Sequence, residues 1–375
     1  MNIPPFKYYF PKHAVGTITK NIRELLENGD FLALGKYNEE FEKTYANFSG
    51  SKHAIAVASG TSSLEIILRA IGVDGYDVIV PTNTFAATIY AVIHAGGKPV
   101  FADIAHDMNI DISNVKSRLT SKSKVILPVH IGGLISPHLP KLLEIADKHN
   151  INVVEDAAHA QGSSLNNKKA GTLGIAGGFS FFSTKIITSG EGGIITTDND
   201  EIMEKARLMR DQGKVRGNNV SIIGNNWRMS EFQAIVALSQ LQLIDEIIEK
   251  RINVARIYDD LLKTISSLQL LNIPINAQSN YYKYLAFIPK GKSPDILKKH
   301  LKEKYGVSLA GYVYEAPLHR QLLFQKYIDN VESYPVADDL CNRHIALPIY
   351  PQMSEDEVRY VVESLKKSLS DLRWA

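Results

Sequence analysis

The chain has 375 residues, with 42 Lys and Arg set against 40 Asp and Glu, a formal charge of +2 and 45 % hydrophobic residues. That near-neutral, evenly mixed charge offers no electrostatic footing for nucleic acid or an anionic membrane, and the length suits two domains rather than one core. One cysteine, Cys341, rules out an internal disulfide and reads as a small buried hydrophobe, and no apolar run has the length that crossing a bilayer requires.

The opening MNIPPFKYYFPKH lacks an apolar stretch of the kind a secretory signal needs, so a cytoplasmic protein is expected. From Ala54 onward, short apolar runs alternate with helical patterns. The expected order is strand Ala54–Ala58, helix Thr61–Ala70, strand Asp77–Val80, helix Ala86–His94, then strands Pro99–Ala102 and Val125–Pro128. Helix Leu139–His149 and strand Asn152–Glu155 close the series. Strands that are apolar throughout, separated by helices, predict an α/β fold on a mainly parallel sheet covered on both faces.

After Gly171 the texture changes. Gly177–Ser183 and Gly192–Thr197 read as β runs around a turn, and one long helix is expected from about Ser230 to about Leu262. The boundary between a large domain, 1–250, and a smaller α+β domain, 251–375, is expected inside that helix. The smaller part shows a strand, Tyr284–Ile288, and helices Pro294–Tyr305 and Ser354–Leu369.

Four segments carry chemistry-bearing residues. The strand ending Val153-Val154-Glu155-Asp156 places acids where ligands sit in open parallel sheets, though Asp156 reads equally well as a helix cap. Lys185 lies between a β run and the Gly-rich turn Gly190-Glu191-Gly192-Gly193. Desolvation there would lower its pKa and make it a nucleophile toward carbonyls; taken alone, it reads as a surface-loop lysine. Ser59-Gly60-Thr61-Ser62-Ser63 opens a helix directly after a strand, a place for a phosphate, with no Walker or GxGxxG pattern to suggest a nucleoside triphosphate or NAD. In Gly224-Asn225-Asn226-Trp227-Arg228-Met229-Ser230, Ser230 and Gln233 form a capping-box pattern that leaves Asn226 and Arg228 unexplained. The histidines are scattered without zinc-site spacing, so no metal is expected.

Taken in order, these blocks resemble the DegT/DnrJ/EryC1/StrS family of pyridoxal-phosphate (PLP) sugar aminotransferases. The resemblance also rests on Pro81 with Thr84-Phe85-Ala86-Ala87-Thr88, Glu155 to Gly162, Pro317-Leu318-His319 and Leu347-Pro348-Ile349-Tyr350. It implies a fold type I PLP-transferase in which Lys185 carries the cofactor covalently and Asp156 pairs with its ring nitrogen. His159 would stand near the phenolic oxygen and Phe85 over the ring face. Gly60, Thr61, Ser62 and Ser180 would hold the phosphate, and Asn226 would reach the site of a second subunit, which implies a homodimer with shared active sites. The implied reaction moves an amino group from an amino acid, L-glutamate by preference, to a keto-sugar that is nucleotide-linked or a sugar acid, as in amino-sugar and surface-polysaccharide synthesis. The block Val129-His130-Ile131-Gly132-Gly133 and the residue Ile186 depart from the family's usual pattern.

Two other readings compete. A branch of the family dehydrates sugars but replaces the lysine, which this chain retains, and a non-catalytic regulator could keep the fold without the chemistry. Substrate contacts are sought among Tyr8, Lys12, His13, Lys36, Lys214, Arg216, Tyr314 and His319, with the cations Lys12, Lys214 and Arg216 leading because a diphosphate or sugar acid needs them.

Overall fold

A computed structural model describes residues 1–311, 313–328 and 333–374. Seven strands form the central sheet: β1 (His53–Val57), β2 (Asp77–Pro81), β3 (Lys98–Ala102), β4 (Ser123–Ile126), β5 (Asn152–Asp156), β6 (Ala176–Ser180) and β7 (Gly193–Thr197). Their spatial order is β1-β7-β6-β5-β4-β2-β3. All neighbours are parallel except β7, which runs antiparallel to both β1 and β6. The α/β class with a mainly parallel mixed sheet is therefore as expected.

Alternation along each strand sorts the side chains onto two faces. Ala54, Ala56, Ile79 and Ile126 enter one apolar cluster, whereas Ile55, Val57, Val78, Val80 and Val125 enter the other. On the first face lie helices Lys36–Ser49, Leu139–His149 and Glu231–Leu241, which bring in Phe41, Leu142 and Ile235. The second face takes helices Gly60–Ile71, Ala86–His94 and Asp200–Arg210, through Ile67, Ile89 and Ile202. Each fully buried Val or Ile contributes about 1.5–3 kcal/mol, so the double coverage holds the sheet rigid.

The long helix expected from Ser230 to Leu262 is two helices, Glu231–Leu241 and Ile244–Leu262. Ser230 closes the first with a capping box to Gln233, and Asp245 and Glu246 sit in the first turn of the second, where acids favour a new helix start. Ile244–Leu262 spans two cores: Ile244, Ile247 and Ile248 pack under the sheet, while Val254, Ala255, Tyr258 and Leu262 join a third cluster with Leu297 and Leu365. We propose the domain division within this helix. The N-terminal Ile3 packs with that third cluster and pairs with Val307, so the first residues sit on the smaller unit rather than on the sheet. The smaller unit's own sheet pairs Tyr284–Phe287 with Gln269–Leu270 on one side and His344–Leu347 on the other. Cys341 is buried, and burial pushes its thiol up to about 12, as befits a packing residue. Among the described residues, no helix is long and apolar enough to cross a membrane.

Candidate active site

The carboxyl ends of four strands converge on one cavity of about 420 Å³. β1 leads into the Ser59 turn, β2 into Phe85, β5 ends at Asp156 and β6 at Ser180. Such convergence is where doubly wound sheets bind ligands. The cavity wall includes Gly60, Thr61, Phe85, Asp156, His159, Ser180, Lys185, Tyr282 and Tyr314.

Asp156 is followed by turns rather than a helix, so the capping reading fails. Its Oδ2 accepts a hydrogen bond from the Thr88 hydroxyl at 2.8 Å and its Oδ1 one from the Ala158 N–H at 3.2 Å. Burial raises its pKa, and Thr88, Ala158 and the charges of Lys185 and His130 only partly offset that rise. Lys185 is not a surface-loop lysine. Burial lowers its amine to about 8 against the opposing attraction of Asp156, and its Nζ stands 4.9 Å from the Tyr282 ring centroid. An amine lowered to about 8 and facing a cavity keeps an appreciable neutral fraction near physiological pH, so it can act as a nucleophile and a proton carrier.

The turn that opens helix Gly60–Ile71 presents backbone N–H groups to the cavity. Ser59 caps helix Gly60–Ile71, accepting from the Ser62 N–H at 3.1 Å while the Ser62 hydroxyl receives the Ser59 N–H at 3.0 Å. Ser62 is thus committed to the cap and does not line the cavity, unlike its expected phosphate role. Gly60 and Thr61 do line it, and their first-turn N–H groups have no partner within the helix. A Cβ on Gly60 would stand 2.7 Å from that of Ser180, so only glycine lets this turn close on β6.

His159 is held between two tyrosine rings, 4.5 Å from Tyr282 and 6.1 Å from Tyr314 by centroid. Burial, followed by the charges of Lys185, Lys283 and His130, holds its pKa well below the usual imidazole value, so it is neutral. Its buried Nδ1 has no hydrogen-bond partner among the described residues. A buried polar atom without a partner, on a side chain that lines a cavity, is satisfied when a ligand binds beside it. Taken with the anion-ready turn, the carboxylate and the softened amine, the residues present fit a phosphorylated pyridine aldehyde.

Other sequence candidates lie elsewhere. Asn226 is exposed and lines none of this chain's cofactor cavity. Lys12 and His13 are exposed at the start of helix Lys12–Asn28, Lys36 pairs with Asp30, and Lys214 and Arg216 project on a small hairpin. His319 is fully buried and cannot touch a substrate as the chain stands. Its ring meets the Thr82 hydroxyl at 2.8 Å and Asp338 at 3.0 Å, because Pro317-Leu318-His319 folds beneath Thr82. Tyr314 reaches the cavity and Tyr8 a neighbouring one.

Sequence reasoning gave no role to Tyr282 or Asn280. Asn280 donates to the carbonyls of His159 and Gln161, each at 2.9 Å, and accepts the Tyr282 N–H at 2.8 Å, clamping the smaller unit to the cofactor loop. No local signal marks this contact, which bridges distant parts of the chain. A larger groove of about 980 Å³, lined by Arg256, Asp259 and Ile275 among others, contains none of the motif residues.

The comparisons agree with this geometry. GDP-perosamine synthase of Vibrio cholerae is 30 % identical over 94 % of this chain and 96 % of its own. The dTDP-3-amino-3,6-dideoxy-alpha-D-galactopyranose transaminase of Aneurinibacillus thermoaerophilus is 31 % identical, covering 93 % of this chain and 94 % of that one. The structure of Helicobacter pylori PseC, an aminotransferase of pseudoaminic acid biosynthesis, superposes with a TM-score of 0.90 at 26 % identity, covering 99 % of this chain and all of that one. The DegT/DnrJ/EryC1/StrS aminotransferase family model matches residues 13–366, and the chain belongs to that family.

Proposed function

We propose that the chain is a PLP-dependent sugar aminotransferase, which takes an amino group from an amino acid, L-glutamate by preference, and delivers it to a keto-sugar. The observation that carries this reading is Lys185 and Asp156, an amine lowered to about 8 and a buried carboxylate, facing one cavity beside a helix N-terminus. When bound, PLP supplies an electron sink that stabilises negative charge on the substrate carbon.

The chain's own residues supply the rest. The N–H groups of Gly60 and Thr61 and the Ser180 hydroxyl bind the phosphate and fix the ring's position. Asp156 keeps a proton on the ring nitrogen by Coulomb attraction, which is strong where water is excluded. Phe85 would cover a face of the ring, and His159, stacked with Tyr282 and Tyr314, would stand near its phenolic oxygen. Lys185, whose amine faces the cavity, would hold the group covalently and could take up and return a proton at its Nζ.

The Asn226 side chain, exposed and outside this chain's cavity, supports a homodimer in which it completes the partner's cavity. The retained lysine speaks against sugar dehydration, and the intact site speaks against a purely regulatory role. The sugar is nucleotide-linked or a sugar acid, in amino-sugar and surface-polysaccharide synthesis. The test is to load the protein with PLP, reduce it with borohydride and map the added mass, then assay keto-sugars with L-glutamate. Label on Lys185 and glutamate-dependent amination are expected, with both lost in Lys185→Ala. Absence of label and of amination from the wild-type chain would sink the reading.

A further inference from the structure

Next to the cofactor cavity lies a second one of about 210 Å³, and Thr184, Lys185 and Tyr282 line both. Whatever occupies it therefore lies beside the reacting amine. Among the described residues, its wall includes Lys7, Lys185, Arg251 and Lys283, and no aspartate or glutamate. The cofactor cavity, by contrast, carries Asp156 and Glu191.

Among the described residues, two of those cations have no carboxylate partner. Arg251 is buried, and its guanidinium donates only to backbone carbonyls, those of Asn280, Tyr281, Tyr282 and Ile349. The bonds satisfy its N–H groups and leave its charge unneutralised. Lys283 is half-buried and makes no ion pair among the described residues; its Nζ stands 5.1 Å from the centroid of Tyr282, the same ring that Lys185 Nζ approaches at 4.9 Å. Burial lowers the Lys283 pKa, and the charges of Arg251 and Lys185 push it further in that direction. A half-desolvated ammonium among cations, with no carboxylate beside it among the described residues, leaves a place for an anion.

We propose that this cavity is the subsite for the carboxylate of the amino donor, with Lys283 as the ion-pair partner and Arg251 supplying a fixed positive field behind it. The assignment rests on the aminotransferase reading above, which requires an amino acid to present its amine at Lys185. The ammonium of Lys283, across the Tyr282 ring, then meets the acid end of the same molecule. Residues 5–9 cover the cavity, and Tyr9 and Tyr8 are tied down by Gln240 and Gln352, which donate to their carbonyls at 3.0 and 2.7 Å. Water exclusion by that cover strengthens the ion pair.

The probe is glutarate, which has the acid groups of the donor but no amine to react, titrated by calorimetry into the PLP-loaded full-length protein. Glutarate should bind at least tenfold more tightly than its neutral analogue glutaramide, and Lys283→Gln should weaken it by about ten- to a hundredfold. Lys283→Arg should stay within about threefold of wild type, because it keeps the charge. UDP binding should be unchanged in Lys283→Gln. Equal affinity for glutarate and glutaramide in the wild type overturns the assignment without recourse to any variant. So does a Lys283→Gln protein that loses UDP and keeps glutarate, which would put the acceptor's anion here. A chain that binds glutarate through Lys283 yet transfers no amine would refute the aminotransferase reading and leave the anion site standing.

Discussion

Asp156 and Thr88 share a hydrogen bond of 2.8 Å that ties the end of β5 to the first turn of helix Ala86–His94. Thr88 is in turn joined to Thr84 at 2.7 Å, so the carboxylate is aimed by a relay of two hydroxyls. The aim has an energetic cost, since burial raises the carboxyl's pKa in the folded chain. A carboxyl whose folded pKa is raised stabilises at low pH, and that contribution is lost as pH rises through the folded value. At neutral pH the charge therefore opposes folding of the cofactor-free protein. Asp156→Asn is expected to melt at the same or a higher temperature than wild type without cofactor, yet to lose about two to three orders of magnitude in kcat. Calorimetric melting alongside steady-state assay checks both halves; a fall in melting temperature would point to a structural role instead.

Lys185 sets a pH dependence of opposite sign. Its amine is lowered from 10.5 to about 8 in the folded chain, so the cost of burying its charge grows as pH falls from 10.5 towards 8 and is complete below. Only the neutral amine attacks an aldehyde. The rate of PLP capture by the cofactor-free protein should thus rise about tenfold per pH unit below 8 and level off above it. Because Asp156 raises the Lys185 pKa, Asp156→Asn should move the midpoint to lower pH. Stopped-flow absorbance of the bound cofactor measures both, and a midpoint near that of an ordinary lysine would contradict the assigned environment.

Much of this arrangement was legible in the chain because its signals are local. Apolar runs such as Asp77–Pro81 and the helices Ala86–His94, Leu139–His149 and Pro294–Tyr305 follow from period and flanking residues, and appear within a residue or two of expectation. The motif blocks at Gly60, Asp156 and Lys185 lie at strand ends, so topology alone brings them together. Tyr282, Asn280 and Lys283 enter from the smaller unit through tertiary packing, which has no period to read. Helices Lys12–Asn28 and Lys36–Ser49 were also silent: each holds Thr, Asn or Gly in its interior, and neighbouring helices such as Glu231–Leu241 supply the stability that propensity does not. His130, noted only as a departure from the usual block, turns out to serve the residue next to Asp156.

That residue is Glu155, fully buried and bonded on all sides. Its carboxylate accepts the N–H groups of Gly171, Leu173 and Gly174 at 2.7–2.8 Å, and the His130 Nε2–H at 2.8 Å, while His130 Nδ1 accepts the Ser136 N–H at 3.3 Å. One side chain thus pins the 171–174 turn to β5. Glu155→Ala would leave three backbone donors and an imidazole buried without an acceptor, and is expected to cost about 3–5 kcal/mol. The urea midpoint of the full chain reads this directly, and a shift worth under about 1 kcal/mol would mean that water or a local rearrangement replaces the carboxylate.

Gly60 tests the phosphate cradle without disturbing the reacting groups. It opens helix Gly60–Ile71 against β6, and an added Cβ would meet the Ser180 Cβ at 2.7 Å and the Phe179 carbonyl oxygen at 3.3 Å. The first contact is closer than real Cβ atoms come, so in Gly60→Ala either the helix start or Ser180 must shift by several tenths of an ångström. Both groups line the cavity where the phosphate would bind, and N–H donors lose strength steeply once distance and angle degrade. The variant should therefore bind PLP about tenfold to a hundredfold more weakly, as expected for one or two charge-assisted bonds, while the Lys185 capture profile keeps its midpoint near pH 8. Equilibrium titration with PLP gives the first number and the pH series the second. A variant that binds PLP as tightly as wild type would remove the helix start from the phosphate site.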